Sequence, residues 1–446
     1  MAGETNGPTV PRDLPDLTRV VELVASRQAS TRAELARLTG LSPSTVSQRV
    51  DTLLRCGLLI EVGNGTSTRG RRPVLLSLDR AAGVLLAADL GASHFELGIA
   101  DLDARIFKMR LGPLDIATGP EAVLTKVSTE FRHMLDEEGV SPQDVRAIGI
   151  GLPGPVDFEL GMPVRPPIMP GWDGFSVPAW FKERFEARAV VDNDVNVMAL
   201  GAYWSGHFSS EHMLVVKVAT GIGCGIIMGG VLHRGADGAA GDIGHIRIAG
   251  EDVTCPCGNR GCLEAVASAS AVARQLRREG MAIEDTDELV RMARAGEPRV
   301  LIAVRAAGQH IGEVLASLVN FYNPDTIVIG GALAELRDEL LAVVRGMIYQ
   351  RALPLATRAL TIAPSTTAQH ACLSGAAILA RQAALDADSV ASWISNPQSI
   401  DRDAALATGA RGSTCPDSRP PNTERSLPRS HAASSTEWVS GSLVPE

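Results

Sequence analysis

The apolar pattern of this chain switches near residue 80 from helical spacing to repeated β-type runs, and that switch demands separate units rather than one core. Before it, Leu17, Val20, Val21 and Val24 recur at i, i+3, i+4 and i+7, the stripe of an amphipathic helix. Thr31 with Glu34 three residues on predicts a capping box and a second helix ending near Gly40. Ser42 followed by Pro43 predicts the start of a third, with Val46, Val50, Leu53 and Leu54 on its inner face. Apolar runs Leu58 to Val62 and Val74 to Leu78 then flank a glycine-rich tip carrying Arg69, Arg71 and Arg72. Beyond the switch, Val84 to Leu90, Ala147 to Leu152, Met213 to Val218 and Thr326 to Ile329 read as buried strands. Helical stretches such as Glu121 to Glu138 and Val300 to Val319 lie between them, which is the alternation of an α/β fold.

This divides the 446 residues into a head over 14–80, a body over 83–385 and a tail over 396–446. The tail is rich in Ser, Pro, Thr and Arg and poor in core residues, so it is expected to be disordered. No apolar run reaches the roughly 18 residues of a membrane span, and the polar N-terminus has no secretory h-region. A cytoplasmic location with no membrane partner is therefore expected.

The net charge of -9 argues against nucleic-acid binding by the chain as a whole. The head is the exception: residues 1–80 hold eleven Arg and no Lys against eight Asp and Glu. Helix, glycine turn, helix is the arrangement that sets a second helix into a DNA major groove. On the third helix, Ser44, Thr45, Ser47, Gln48 and Arg49 lie off the apolar face and carry groups that bond base edges or phosphates. Arg69, Arg71 and Arg72 would form a wing reaching a minor groove or the backbone. A helical dimerisation domain with a solvated basic loop is the alternative, but capping, turn and basic hairpin all agree with a winged helix-turn-helix. One such module has a small footprint, so a homodimer or homotetramer reading a palindromic operator is expected.

Three of the seven cysteines crowd into Cys255, Cys257 and Cys262, spaced C-x-C-x4-C, with His245 the nearest upstream histidine. Three thiolates and one imidazole make a closed tetrahedral set, the ligand type of structural zinc rather than of a catalytic ion with an open position. Buried reduced thiols are the alternative. Cys56, Cys224, Cys372 and Cys415 are scattered and read as apolar fillers or incidental thiols.

Several body motifs occur in a characteristic order. They are Asp89-Leu90-Gly91-Ala92-Ser93, Gly149 through Asp157, Asp192 through Asn196, Ala219 through Gly225, Gly241 through His245, the cysteine cluster ending Leu263-Glu264, and Ile329-Gly330-Gly331. In these, the chain resembles the ROK family of repressors, uncharacterised reading frames and sugar kinases, over about residues 14–382. The resemblance implies a two-lobed actin/hexokinase-like (ribonuclease-H-like) fold with sugar bound between the lobes. It implies that Asn193, Asp194, Asp242, His245 and Glu264 contact the sugar. Asp194 would be the general base if the chain were a kinase, and His245 would serve zinc and sugar together.

Nucleotide binding would fall to Asp89, Gly91, Ser93, Thr220, Gly221, Gly223, Gly330 and Gly331. Here the phosphate turns depart from the kinase pattern. Ala92 and Cys224 stand where kinases carry glycine, and His94 stands at a lysine position. An added Cβ obstructs backbone approach to a phosphate. Ile168 replaces an asparagine common in the kinases, and Asp192 and Asp242 are shorter than the usual Glu. The expectation is a sugar-responsive DNA-binding regulator with structural zinc. The alternative is an ATP- and Mg-dependent sugar kinase with an appended DNA-binding head.

Overall fold

The computed structural model describes residues 13–64, 74–208, 210–365 and 370–395. The wing arginines Arg69, Arg71 and Arg72, and the whole 396–446 tail, lie outside the described residues.

The head holds α1 (Leu14–Ala25), α2 (Arg32–Thr39), α3 (Pro43–Arg55) and an antiparallel pair, β1 (Leu59–Asn64) and β2 (Val74–Leu78). Its helices begin where the local chemistry satisfies their free N–H groups. The Glu34 N–H donates to Thr31 Oγ1 at 3.2 Å, and the Thr31 N–H donates to the Glu34 carboxylate at 3.0 Å, which completes the capping box. Gly40, at φ 73°, ends α2 in a left-handed turn that a residue with Cβ resists. Ser42 Oγ accepts from the Thr45 N–H at 3.1 Å and starts α3. Leu17, Val20, Val21, Leu35, Val46, Val50 and Leu53 are buried together.

The first lobe runs β3 (Val84–Leu90), β4 (His94–Ala100), β5 (Ile106–Pro113), α4 (Pro120–Glu138) and β6 (Val145–Leu152). A small hairpin, β7 (Val156–Asp157) with β8 (Met162–Pro163), follows, then α5 (Val177–Phe185) and β9 (Arg188–Asn193). The second lobe begins with α6 (Asp194–Trp204), β10 (His212–Val218), β11 (Ile222–Met228) and β12 (Val231–His233). It continues through α7 (Leu263–Ala267), α8 (Ala269–Arg278), α9 (Thr286–Arg294), α10 (Pro298–Tyr322) and β13 (Thr326–Gly330). Next come α11 (Arg337–Arg351), α12 (Pro354–Thr357), β14 (Thr361–Pro364), α13 (Ala371–Ala384) and α14 (Ala387–Ser395).

The two sheets repeat one plan. Their orders are β5-β4-β3-β6-β9 and β12-β11-β10-β13-β14. In each, the first three strands form an antiparallel meander and two more join in parallel after crossovers. Helices α6 and α13 pack on each other between the sheets, α13 against β3 and β6, α6 against β10 and β11. Helix α14, in a stretch the sequence left unassigned, packs against α1 of the head. Among the described residues, no helix is long and apolar enough to cross a membrane.

Candidate functional site

A cavity of about 550 Å³ opens between the lobes, walled by the β3–β4 turn, the loop after β6, the start of α6 and the β10–β11 turn. All five expected sugar residues, Asn193, Asp194, Asp242, His245 and Glu264, line it.

They are not equally free. Asn193 closes β9 and caps α6: its Oδ1 accepts from the Val195 N–H at 2.9 Å and its Nδ2 donates to the Gly154 carbonyl at 3.0 Å. Asp194 opens α6, where the helix dipole favours a carboxylate. Its Oδ2 accepts from Lys217 Nζ at 2.7 Å. Glu264, in the first turn of α7, accepts the Ile222 N–H at 3.1 Å. Asp242 is half-exposed, with Oδ1 3.8 Å from His245 Nε2. Asp192, just before the pair, is committed to structure. It accepts from Asn196 Nδ2 at 2.9 Å and Arg234 Nε at 2.8 Å, and the Arg234 guanidinium stacks on Phe158 at 3.6 Å.

The expected nucleotide residues are only partly brought together. Gly91, Thr220, Gly221 and Gly223 line the cavity, whereas Asp89 is buried behind it. Ser93, Gly330 and Gly331 are not in its lining, and Gly330 packs instead on Met198. Two backbone donors of the β10–β11 turn are already used: the Ala219 N–H bonds the Gly221 carbonyl at 2.9 Å, and the Ile222 N–H bonds Glu264. Cys224 also lines the cavity, and burial pushes its thiol up to about 12, so it acts as an apolar side chain.

Sequence reasoning missed Lys217, Arg274 and Ser270, which also line the cavity. Lys217 carried a signal: it is the one charge in the apolar run Met213 to Val218.

At the cleft edge, His245, Cys255, Cys257 and Cys262 place one donor atom each within 4.8 Å of all the others. Cys257 Sγ lies 3.8 Å from Cys262 Sγ, and Cys255 Sγ lies 3.7 Å from His245 Nδ1. A tetrahedral ion with metal–sulfur bonds of about 2.3 Å has edges of about 3.8 Å, so the cluster is shaped to hold a metal. His245 turns Nδ1 to the thiols and Nε2 toward Asp242 in the cleft.

On α3, Ser44 and Gln48 are exposed and Thr45 and Ser47 half-buried. Arg49 differs from its neighbours on α3. Its guanidinium turns inward to Asp13 at 2.7 Å and Asp16 at 3.5 Å, because the acidic start of α1 faces that side of α3. In this structure it ties α3 to the start of α1.

The family model described as the ROK family matches residues 85–383, and the IclR helix-turn-helix domain matches residues 17–62. The chain belongs to the ROK family. A putative xylose repressor of Caldicellulosiruptor sp. (strain Rt8B.4) is 29% identical over 370 residues, spanning 80% of this chain and 92% of that protein. A glucokinase of Thermotoga maritima is 27% identical over 314 residues, or 67% of this chain and 97% of the enzyme. The crystal structure of a ROK family transcriptional regulator, a homolog of the E. coli MLC protein, superposes with a TM-score of 0.74 at 23% identity. It covers 86% of this chain and 99% of that one, so head and body share its fold. The architecture is α/β, a helix-turn-helix head on a two-lobed body of the hexokinase kind.

Proposed function

We propose that this chain is a sugar-responsive transcriptional repressor, with sugar bound in the interlobe cleft altering operator affinity. The observation that carries it is the junction of two parts in one chain: a helix-turn-helix head, and a cleft whose polar lining suits vicinal hydroxyls. The xylose repressor to which the chain is similar spans both parts, whereas the glucokinase aligns over two thirds of it. Asp194, Asp242, Glu264 and the Nε2 edge of His245 would bond the sugar, with Asn193 holding the loop. A structural zinc in the His245, Cys255, Cys257, Cys262 cluster would brace His245 from behind. Ser44, Thr45, Ser47 and Gln48 would face the operator, with Arg69, Arg71 and Arg72 as the wing. A homodimer or homotetramer would present paired heads to a palindrome.

A sugar kinase is the second reading, favoured by the retained Asp194. A general base must be free to take a proton, and here the Asp194 carboxylate is held by Lys217. Against a bound magnesium–nucleotide stand the Gly91, Ala219 and Ile222 N–H groups of the phosphate turns, already bonded internally, and His94, which packs over Gly91.

The test is a gel shift on the promoter of the protein's own operon across a panel of sugars. One sugar should weaken operator binding by about 5- to 150-fold, the range of ordinary allosteric coupling. Sugar phosphorylation with ADP release, abolished by Asp194→Asn, would overturn the ranking.

A further inference from the structure

Behind the phosphate side of the cleft, two charges that the sugar site does not use, Asp89 and Lys217, meet Asp194, which it does. Asp89, at the end of β3, is buried, and its Oδ1 has no hydrogen-bond partner among the described residues. It lies beside the start of α6: a Cβ built on Gly151 would sit 3.5 Å from both Asp89 Oδ1 and Asp194 Cα. Lys217, from β10 of the opposite lobe, reaches into this corner and bonds Asp194 at 2.7 Å. Cys372, at the start of α13, closes it from below, with Sγ 3.8 Å from the Asp194 carbonyl.

The electrostatics agree with the geometry. Burial pushes the Asp89 carboxyl up, opposed by the Lys217 charge. Burial works to lower the Lys217 pKa, yet Asp194, Cys372 and Asp89 together raise it well above its ordinary value. The ammonium is thus fixed as a cation. Two carboxylates, Asp89 from the first lobe and Asp194 from the second, meeting a single positive charge is an arrangement otherwise completed by a divalent ion.

We propose that Lys217 is the resident counter-cation of the Asp89–Asp194 pair, filling the corner that a metal ion with its nucleotide would otherwise occupy. The inference rests on the reading of this cleft as a sugar receptor and adds how the receptor dispenses with metal and nucleotide. Lys217 is a positioning residue. It holds the Asp194 carboxylate in one rotamer and ties the start of α6 to β10 at the cleft floor without an exchangeable ion.

The experiment is a Mn²⁺ titration of the full chain by electron paramagnetic resonance, with Mn²⁺ alone and with Mn²⁺–ATP. Mn²⁺ prefers oxygen ligands and so reports on the carboxylates rather than the cysteine cluster. The wild type and Lys217→Arg should show no specific site. Lys217→Met should gain one Mn²⁺ site at least about tenfold tighter than any wild-type binding, since an ammonium no longer repels the ion. Adding Asp194→Asn to the methionine variant should remove that site. Equal Mn²⁺ affinity in the wild type and a folded methionine variant would overturn the proposal. The wild type decides alone should that variant not fold. Tight Mn²⁺–ATP binding that Asp194→Asn abolishes would overturn the proposal, and its absence supports it. Sugar response is read separately in the gel shift, where no Mn²⁺ is present, so each reading fails on its own measurement.

Discussion

His245 joins two chemistries at the scale of one side chain. Its Nδ1 faces the thiols and its Nε2 edge faces the cleft. A metal at the cluster would fix the tautomer, leaving Nε2 to carry the proton and donate to a sugar hydroxyl. Pro256, between two of the cysteines, also lines the cavity, so the metal loop forms part of the binding wall. Cys257→Ser should therefore lower bound zinc below one equivalent and weaken sugar affinity by about 10- to 100-fold, the usual cost of disturbing such a support. Metal analysis paired with calorimetry checks both. Full sugar affinity in a zinc-free variant would mean that the loop holds its shape without the ion. This cluster was legible in the sequence because its ligands fall within eighteen positions and their types restrict the chemistry. Lys217 was harder to read. Its meaning depends on Asp194, at the start of α6, and on Asp89 from the other lobe, neighbours that no local spacing encodes. The ion pairs of Arg49 were hidden for the same reason: an arginine off the apolar face looks free until another helix brings Asp13 and Asp16 to it.

At the scale of elements, the crossing of α6 and α13 holds the lobes together, and it is close because it lacks side chains. A Cβ on Gly375 would overlap the Val197 carbonyl oxygen, and one on Gly201 would overlap the Ala371 carbonyl oxygen. Gly375→Ala should then destabilise the chain by about 1–3 kcal/mol through overpacking, seen as a lower urea midpoint. Gly346→Ala is the control. That position lies in α11, is exposed and has nothing within 4 Å of its would-be Cβ, so alanine should stabilise by about 0.5–1 kcal/mol through helix propensity. Opposite signs for one substitution type would separate close approach from backbone freedom. Two losses would point to an unrecognised role for Gly346. The head helices could be read from Thr31, Glu34, Gly40 and Ser42 because a cap acts on its own next turn. The strands of the body could be recognised one by one, but not their shared order. Placing β3 between β4 and β6 depends on pairing across roughly sixty residues, where the sequence carries only the apolar run itself.

In the whole molecule, α13 connects what the sequence keeps apart. Its first turn carries Cys372 under Asp194, and it passes Arg381, whose guanidinium lies 4.4 Å over the Trp204 ring. Burial pushes the Arg381 pKa down to about 10, partly offset by Asp103. Asp103 also meets Arg27 of the head and Arg80 of the linker. Helix α14 then carries Val390 and Trp393 into the core that includes α1, with Arg146 stacked 4.5 Å over Trp393. A shift of α6 against α13 on sugar binding would thus reach the head through buried contacts, whereas the ion pairs at Arg27 and Arg80 are too exposed to contribute more than about 1 kcal/mol each. Trp393→Ala removes a buried aromatic from that route and lies outside the cleft lining. Sugar affinity should stay within about twofold of the wild type, since contacts this distant act independently. The ratio of operator affinities without and with sugar should fall toward one, from a wild-type ratio of about 5 to 150. Linkage makes the check reciprocal: in the wild type, operator DNA must weaken sugar binding by the same factor, and in Trp393→Ala it must cease to do so. Paired calorimetry and gel-shift titrations measure both arms. An undiminished ratio in this variant would place the coupling outside α14.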